Sequence, residues 1–181
     1  VRKDTGWAPK TLLMERISGK EVVSSNVIWD DTGSVVTETR VPELDLTEVH
    51  PLDDRMKVNV LDPYSAVLRL LNQIEKTGDC TSSYEIYDGR RRSRIYFEKI
   101  GKIVLEQDRP GVFTGSAMVC DVKFDPIGGH RINPKWRSNK DQNGRVKVFF
   151  ARPLESQVMP VRIEVKSWIG KIIGRLDLRQ M

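Results

Sequence analysis

Short β-type runs separated by turn residues fill most of this sequence, and no other feature constrains the fold as strongly. Residues 11–18 and 21–29 flank the turn candidate Gly19-Lys20. A third run, residues 34–41, follows the turn signal at residues 30–33 (Asp-Asp-Thr-Gly). In each run, successive side chains point to opposite sides of the strand. Such runs joined by short turns predict an antiparallel meander.

The same pattern returns in the second half of the chain. Strands are predicted at residues 90–98, 103–107, 117–124, 146–151, 160–166 and 171–178. Asp88-Gly89 is a candidate two-residue hairpin turn with positive φ at both positions, and the polar segment 132–143 is a candidate loop. With about nine or ten strands, the predicted fold is mainly β. We expect a curved antiparallel sheet, half-barrel or barrel-like.

One amphipathic helix is predicted at about residues 62–77. Asp62 is a good N-cap, Pro63 suits the first helical position, and Gly78 ends the element. A single apolar stripe at helical spacing is formed by Ala66, Val67, Leu70, Leu71 and Ile74. We expect this stripe to pack against the open side of the sheet. The acidic segment 42–56 before the helix has no clear period and is predicted to be a long connection.

Length and charge bound the function only loosely. At 181 residues the chain fits a single β-rich domain spanning 1–181. It has no run of about 18 apolar residues, so no membrane-spanning helix is expected. Thirty basic residues against 25 acidic ones give a net charge of +5. This mild positive charge is compatible with binding of nucleic acid, with binding of anionic lipid, or with a role in solubility alone.

The two cysteines, Cys80 and Cys120, are the only ones in the chain. They fit either one disulfide or two separate thiols. A bridge between them would stabilise the fold by roughly 4 kcal/mol. Without CxxC spacing or clustered histidines they do not provide a zinc site. No phosphate-binding loop or nucleophile motif is present either, so neither a metal nor a cofactor is expected.

Four of the five residues from 90 to 94 are arginines. On a strand, Arg90, Arg92 and Arg94 share one face and form a cationic strip about 13 Å long. This strip is predicted to bind phosphate, carboxylate or an anionic headgroup. The alternative is a solvated face paired with nearby carboxylates, which are Glu85, Asp88, Glu98 and Glu106.

No catalytic site is predicted, and His130 is the one candidate for a general base. It follows Gly128-Gly129, with Asp125 or Asp88 as a possible orienting carboxylate. The alternative is a structural histidine in a turn, where the two glycines give the backbone unusual freedom.

Three segments resemble motifs of one family. LDPYSA at residues 61–66 is similar to the family's LDP-x-SA segment, and Cys80 with YDGRRR at 87–92 resembles its cysteine and DGRRR motif. GSAMVC at 115–120 with FDPIGGHR at 124–131 resembles its GPAxVCxVxYxPIxGHR ending. Ser116 and Phe124 stand where proline and tyrosine are common. The family is DUF3108, an uncharacterised envelope group of Gram-negative bacteria. The resemblance covers about residues 60–180 well and the first sixty weakly.

The resemblance implies a periplasmic or envelope protein whose signal peptide has been removed, and it supports a Cys80–Cys120 disulfide. Because the family begins further upstream, we expect one or two initial strands to be missing, with an exposed edge at 11–18. The family has no established enzymatic activity. We therefore expect non-enzymatic binding of an apolar or anionic envelope ligand, a lipid or an envelope protein, with Arg90, Arg92 and Arg94 as the binding residues.

Two other functions remain open. One is a hydrolase-like or transferase-like enzyme that uses His130 with an aspartate. The other is nucleic-acid binding by the arginine strip, against which an envelope location argues.

Overall fold

A computed structural model describes residues 2–3, 6–43, 45–132, 146–167 and 170–180. The chain divides into two compact units. The first comprises Val1–Arg69, Tyr84–Ile95 and Asp125–Asn139, and the second comprises Leu70–Ser83, Tyr96–Phe124 and Lys140–Met181. The long strands β7 and β8 contribute residues to both units. The organisation as a single domain remains a prediction.

The first unit contains a three-stranded antiparallel sheet. Its strands are β3 (Thr11–Ser18), β4 (Glu21–Trp29) and β5 (Val35–Val41), in that order. Two short strands, β1 (Arg2–Lys3) and β2 (Gly6–Trp7), pair separately. The predicted meander is confirmed, and β3 lies at the edge of its sheet.

One face of this sheet covers the core of the first unit. Leu12, Val27 and Trp29 are fully buried, together with Val60 and Tyr87 from later segments. The opposite face leaves Leu13 and Ile17 exposed. This contrast follows from the alternation of side chains along each strand. Packing of the apolar set against Val60 and Tyr87 therefore fixes which face points inward.

A six-stranded sheet contains the other strands. They are β6 (Ser82–Tyr87), β7 (Arg92–Leu105), β8 (Gly115–Gly128), β9 (Val146–Ala151), β10 (Met159–Ser167) and β11 (Gly170–Arg175). Neighbours in the sheet are neighbours in sequence, from β11 at one edge to β6 at the other. The mainly β prediction is confirmed. The strands of the described chain form open sheets and no closed barrel.

Several predicted strand limits are wrong. The predicted strands 90–98 and 103–107 belong to one continuous strand, β7, which begins at Arg92. Gly101 within it has a φ of 157°, which is close to extended backbone, so the glycine does not interrupt the strand. Of the predicted loop 132–143, all but Ile132 lies outside the described residues.

The single helix, α1 (Pro63–Thr77), has the predicted termini. Asp62 Oδ1 accepts hydrogen bonds from the backbone N–H groups of Tyr64 (2.8 Å) and Ser65 (3.0 Å). Gly78 ends the helix with a φ of 67°. In the described part of the chain, no helix is long and apolar enough to cross a membrane.

The apolar stripe of α1 is narrower than predicted. Ala66, Leu70 and Ile74 are buried, whereas Val67 is 41% exposed and Leu71 is only partly buried. Residues four apart follow one line along a helix, and Val67 lies about 100° round from Ala66. Its inclusion in the buried stripe was therefore wrong.

The connection from β5 to α1 is long, as predicted, and contains two short 3-10 helices, Leu46–Glu48 and Asp54–Lys57. It ends by pairing with β6. Leu61 N–H donates to the Glu85 carbonyl (2.9 Å), and Tyr87 N–H donates to the Leu61 carbonyl (2.8 Å). This pairing brings the end of the connection beside Tyr87.

The second unit contains the disulfide between Cys80 and Cys120, whose Cα atoms are 6.5 Å apart. The predicted bridge is confirmed, and both cysteines are fully buried. Burial along β8 does not alternate between the two faces. Ala117 and Val119 are buried in an apolar cluster on one face, while Cys120 and Val122 are also buried. A strand inside a sheet and covered on both faces has no solvent side.

Candidate functional site

The turn between β6 and β7 carries Arg90 and Arg91 and is held by one carboxylate. Asp88 Oδ1 accepts hydrogen bonds from the backbone N–H groups of Arg90 (3.1 Å) and Arg91 (2.7 Å). Asp88 Oδ2 accepts two more from the Arg91 guanidinium, at 2.8 and 2.6 Å. Of the two central residues, only Gly89 has positive φ. The predicted two-residue hairpin is therefore wrong, because the Asp88 side chain organises a longer turn.

Gly89 and Gly129 let this turn approach its neighbours closely. A Cβ on Gly89 would lie 2.9 Å from Val27 Cγ2, and one on Gly129 would collide with the Arg90 carbonyl oxygen. Both glycines have positive φ, a conformation that residues with a Cβ rarely adopt. The position of Arg90 therefore depends on two glycines that are far apart in the sequence.

His130 is buried and occupied by structural contacts. Its ring is 7% exposed, and Nε2 lies 3.1 Å from Ser93 Oγ and 3.2 Å from the Arg92 carbonyl oxygen. Its own carbonyl oxygen accepts a hydrogen bond from His50 N–H (2.7 Å). Burial is the largest influence on the ring and lowers the pKa of His130, so the neutral form is favoured. These contacts match those of a structural histidine in a turn.

The two aspartates proposed as partners of His130 are placed differently. Asp88 is committed to Arg91 and the turn. The side chain of Asp125 is exposed. The catalytic role of His130 remains a prediction that this geometry does not favour.

Arg92 and Arg94 both pair with Glu85 on the neighbouring strand β6. Arg92 Nη1 also donates to the Met56 carbonyl oxygen at 2.7 Å. The two guanidiniums lower the pKa of Glu85, with Arg92 the larger influence. The strand parity was predicted correctly from residue 92 onward, since Ser93, Ile95 and Phe97 are buried on the opposite face.

Arg90 does not belong to the predicted strip, because it lies in the turn before β7 begins. Its guanidinium has no ion pair or hydrogen bond with any described residue. Burial is the first cause that lowers the pKa of Arg90, followed by Arg91, and Arg40 and Arg131 act in the same direction. Asp88 opposes them only in part. Arg90 is thus a partly buried cation with an incompletely balanced charge.

Arg40 on β5 is a second such cation, also partly buried. No described residue forms an ion pair or hydrogen bond with its guanidinium. Arg40 and Arg90 both line a cleft of about 810 Å³ that lies within the first unit. The opposite wall of the cleft comes from the connection before α1 and includes Leu46, Val49 and Leu52. The cleft therefore combines unpaired cations with an apolar wall.

Tyr87 also lines this cleft. Its hydroxyl is buried and makes no hydrogen bond of normal geometry with a described residue. Burial and then the nearby Glu38 carboxylate raise the pKa of Tyr87, so the hydroxyl stays protonated. Glu38 itself pairs with Lys57 at 3.0 Å. The acceptor beside this hydroxyl is the Glu38 carboxylate, whose hydrogen bond is one cause of the raised pKa of Tyr87.

Among the residues that the structure describes, no cluster of three or more histidine, cysteine, aspartate or glutamate side chains could hold a metal ion. The cysteines are used by the disulfide. The site is therefore described by its cations, its apolar wall and the Tyr87 hydroxyl.

Comparison with known proteins identifies the family. The DUF3108 model, described as a protein of unknown function, matches residues 4–178. The chain belongs to the DUF3108 family. The match includes the first sixty residues, where the motif resemblance was weak. A search of curated proteins and a search of solved structures each found no match.

The sequence interpretation missed Arg40, Tyr87 and the apolar wall, and it placed Arg90 on a strand. A signal for Arg40 was present in the alternation of β5, where it shares a face with Glu38 and lies opposite the buried Ser25. A charged residue on the inward face of an amphipathic strand is unusual and often functional. The cleft itself has no local signal, because its lining combines residues 38–57 with Tyr87, Arg90 and Gly129, which follow much later in the sequence.

Proposed function

We propose that this DUF3108 protein is a non-enzymatic binding protein of the bacterial cell envelope, located in the periplasm. Its cleft holds a ligand with an anionic group and an apolar body. The anionic group contacts Arg40 and Arg90, and the apolar body lies against Leu46, Val49 and Leu52. The ligand is a lipid or another amphiphilic envelope component rather than nucleic acid.

One observation carries this proposal: two partly buried guanidiniums, with no partner among the described residues, face the same cleft. Arginine is suited to phosphate and carboxylate because its planar fork donates parallel hydrogen bonds. Together with burial, which is the larger cause, the positive charges of neighbouring arginines lower the pKa of Arg90. A bound anion would relieve that repulsion.

The apolar wall supports the second half of the proposal. Leu46 is 77% exposed. Covering such a large apolar side chain with a ligand removes apolar surface from water and therefore favours binding. Ligand sites commonly combine an apolar lining with a few placed polar groups. The buried Tyr87 hydroxyl, which lines the cleft beside Glu38, is such a group.

The envelope location rests on two supports. DUF3108 membership is the first. The second is the Cys80–Cys120 disulfide, because disulfides persist mainly in oxidising compartments such as the periplasm.

The predicted roles of Arg92 and Arg94 in ligand binding are less well supported. Both guanidiniums share Glu85, and a ligand would have to displace that carboxylate. Binding of nucleic acid along the same strip meets the same obstacle. We therefore assign the binding role to Arg90 with Arg40.

Native mass spectrometry and organic extraction of protein isolated from the periplasmic fraction, without reductant, test the proposal. We expect a copurifying amphiphile in the wild type and its loss in Arg90→Gln. Arg94→Gln is the matched control, because Arg94 is an arginine nearby that is paired with Glu85. A wild type that carries no small molecule, or equal retention by both variants, would contradict the proposal.

A further inference from the structure

A smaller recess lies beside the cleft and shares two of its residues. Its volume is about 120 Å³, against about 810 Å³ for the cleft. Arg40 and Arg90 line both spaces, whereas Arg16 lines only the recess. All three arginines belong to the first unit. Arg40 and Arg90 thus lie where the small recess adjoins the larger cleft.

Three structural elements bring their arginines to the recess. Arg16 comes from β3, Arg40 from β5 and Arg90 from the turn between β6 and β7. On the sheet, Arg16 lies opposite Val23, and Arg40 lies opposite Ser25, the next residue of β4 on the same face. Neither Val23 nor Ser25 can neutralise a guanidinium. The sheet register therefore gathers positive charge without supplying a carboxylate.

The one carboxylate in the recess, that of Asp88, is already used. Its two oxygens accept four hydrogen bonds from the backbone and side chain of the turn. Asp88 balances Arg91, whose Nε and Nη2 both donate to Asp88 Oδ2. Within the described part of the chain, the guanidinium groups of Arg16, Arg40 and Arg90 have no hydrogen-bond or ion-pair partner. Their combined charge therefore exceeds what a single carboxylate of a ligand would balance.

We infer that the recess binds the phosphate group of a phosphate monoester whose organic part occupies the adjoining cleft. A phosphate monoester carries nearly two negative charges at neutral pH, and its three terminal oxygens are strong acceptors. Three guanidiniums that approach from three elements can each engage a different oxygen. A carboxylate offers two oxygens in one plane and a single charge. This inference rests on the proposed function and adds the class of the anionic group.

Calorimetric titration of the whole protein with octyl phosphate, octanoate and inorganic phosphate, at pH 8 and low salt, tests the inference. The two amphiphiles have the same chain length, so the comparison isolates the anionic group. We expect octyl phosphate to bind at least about tenfold more tightly than octanoate, as one additional charge-assisted contact would give. Inorganic phosphate should compete with octyl phosphate but bind more weakly, since it lacks the apolar body.

Arg16→Gln provides the decisive variant, because Arg16 lines the recess and not the cleft. We expect it to weaken octyl phosphate about tenfold and to change octanoate binding less than twofold. Arg94→Gln should alter neither, and circular dichroism of both variants verifies folding. Equal binding of the two amphiphiles, or equal losses in Arg16→Gln, would overturn the inference and leave the proposed function standing. Failure of both amphiphiles to bind would overturn both.

Discussion

Two groups of basic residues, one in each unit, differ in whether a carboxylate pairs with them. On β10 and β11 of the second unit, Glu164 lies 2.6 Å from both Arg162 and Lys171. In the first unit, Arg16, Arg40 and Arg90 have no such partner among the described residues. Both regions are rich in basic residues, so composition does not distinguish them. The difference is whether the sheet places a carboxylate beside each cation.

The register of each sheet explains this contrast. Arg162 is two residues from Glu164 on the same face of β10, and Lys171 on β11 is a diagonal neighbour. Around Arg16 and Arg40 the facing positions on β4 are Val23 and Ser25. Glu38 shares a face with Arg40 but pairs with Lys57. A paired arginine is explained by the fold, whereas the unpaired guanidiniums are the basis of the ligand proposed above.

The largest expected change in stability concerns the disulfide of the second unit. Replacing Cys80 and Cys120 together with serine should lower the free energy of unfolding by about 4 kcal/mol, because the closed loop spans forty residues. Urea denaturation followed by circular dichroism measures the change. Wild-type protein treated with reductant should move in the same direction. An unchanged urea midpoint in the double variant would remove the structural role assigned to the bridge.

An intermediate effect is expected from Glu85, the carboxylate that neutralises two arginines of the first unit. Glu85→Gln should lower the free energy of unfolding by about 1–2 kcal/mol, because Arg92 and Arg94 lose a charged acceptor. The pKa of Glu85 is lowered in the folded state. Its contribution is therefore complete above the unfolded pKa of about 4.5 and disappears as the pH falls through the lower folded value.

Denaturation curves of wild type and Glu85→Gln between pH 3 and pH 7 measure this contribution. The two stabilities should converge at the acidic end. Glu15→Gln is the control, because Glu15 is exposed and a surface change of this kind stays within about 0.5 kcal/mol. If Glu85→Gln matched this control at pH 7, the distinction between paired and unpaired arginines would lose its energetic basis.

The smallest effect concerns His130, whose pKa is lowered mainly by burial. The unfolded chain binds a proton more readily, so wild-type stability should fall as the pH drops below the unfolded value of about 6.5. His130→Gln should lower the free energy of unfolding by about 1 kcal/mol at pH 8, because its hydrogen bonding is altered. The same variant should show a weaker dependence of stability on pH in this range. His50→Gln, at an exposed position, serves as the comparison. A wild-type profile that is flat from pH 7 to pH 5 would refute the structural assignment of His130.

Predictions that depended on local sequence chemistry were the accurate ones. The N-cap at Asp62 and the stop at Gly78 are confirmed, as is the hairpin at Gly19-Lys20. Each depends on backbone preferences and hydrogen bonds within a few residues. The parity of β7 was also predictable, because alternation is a property of any strand. Where a side chain can reorganise the backbone, as Asp88 does, the local rule failed.

The site could be predicted only in part. Arg90 was selected as an arginine capable of binding an anion, and that role remains a prediction. The sequence also named Glu85 and Asp88 as candidate partners of the arginines, and both form ion pairs, Glu85 with Arg92 and Arg94 and Asp88 with Arg91. Which arginine would lack a partner was not predictable. Glu85 reaches Arg92 and Arg94 through strand pairing. Gly129, forty residues after Gly89, sets the approach of the turn to its surroundings.

By itself, the sequence of this DUF3108 protein determined a mainly β fold with one capped helix and two cysteines suited to a bridge. Periodicity, turn residues and caps act over short distances, so they can be inferred without coordinates. Only the tertiary structure decided which arginines are neutralised and which face a cleft. That outcome depends on the register between strands and on the placement of the turn before β7. Strand pairing brings Glu85 to Arg92 and Arg94, whereas the guanidinium groups of Arg16, Arg40 and Arg90 lie together without a partner among the described residues.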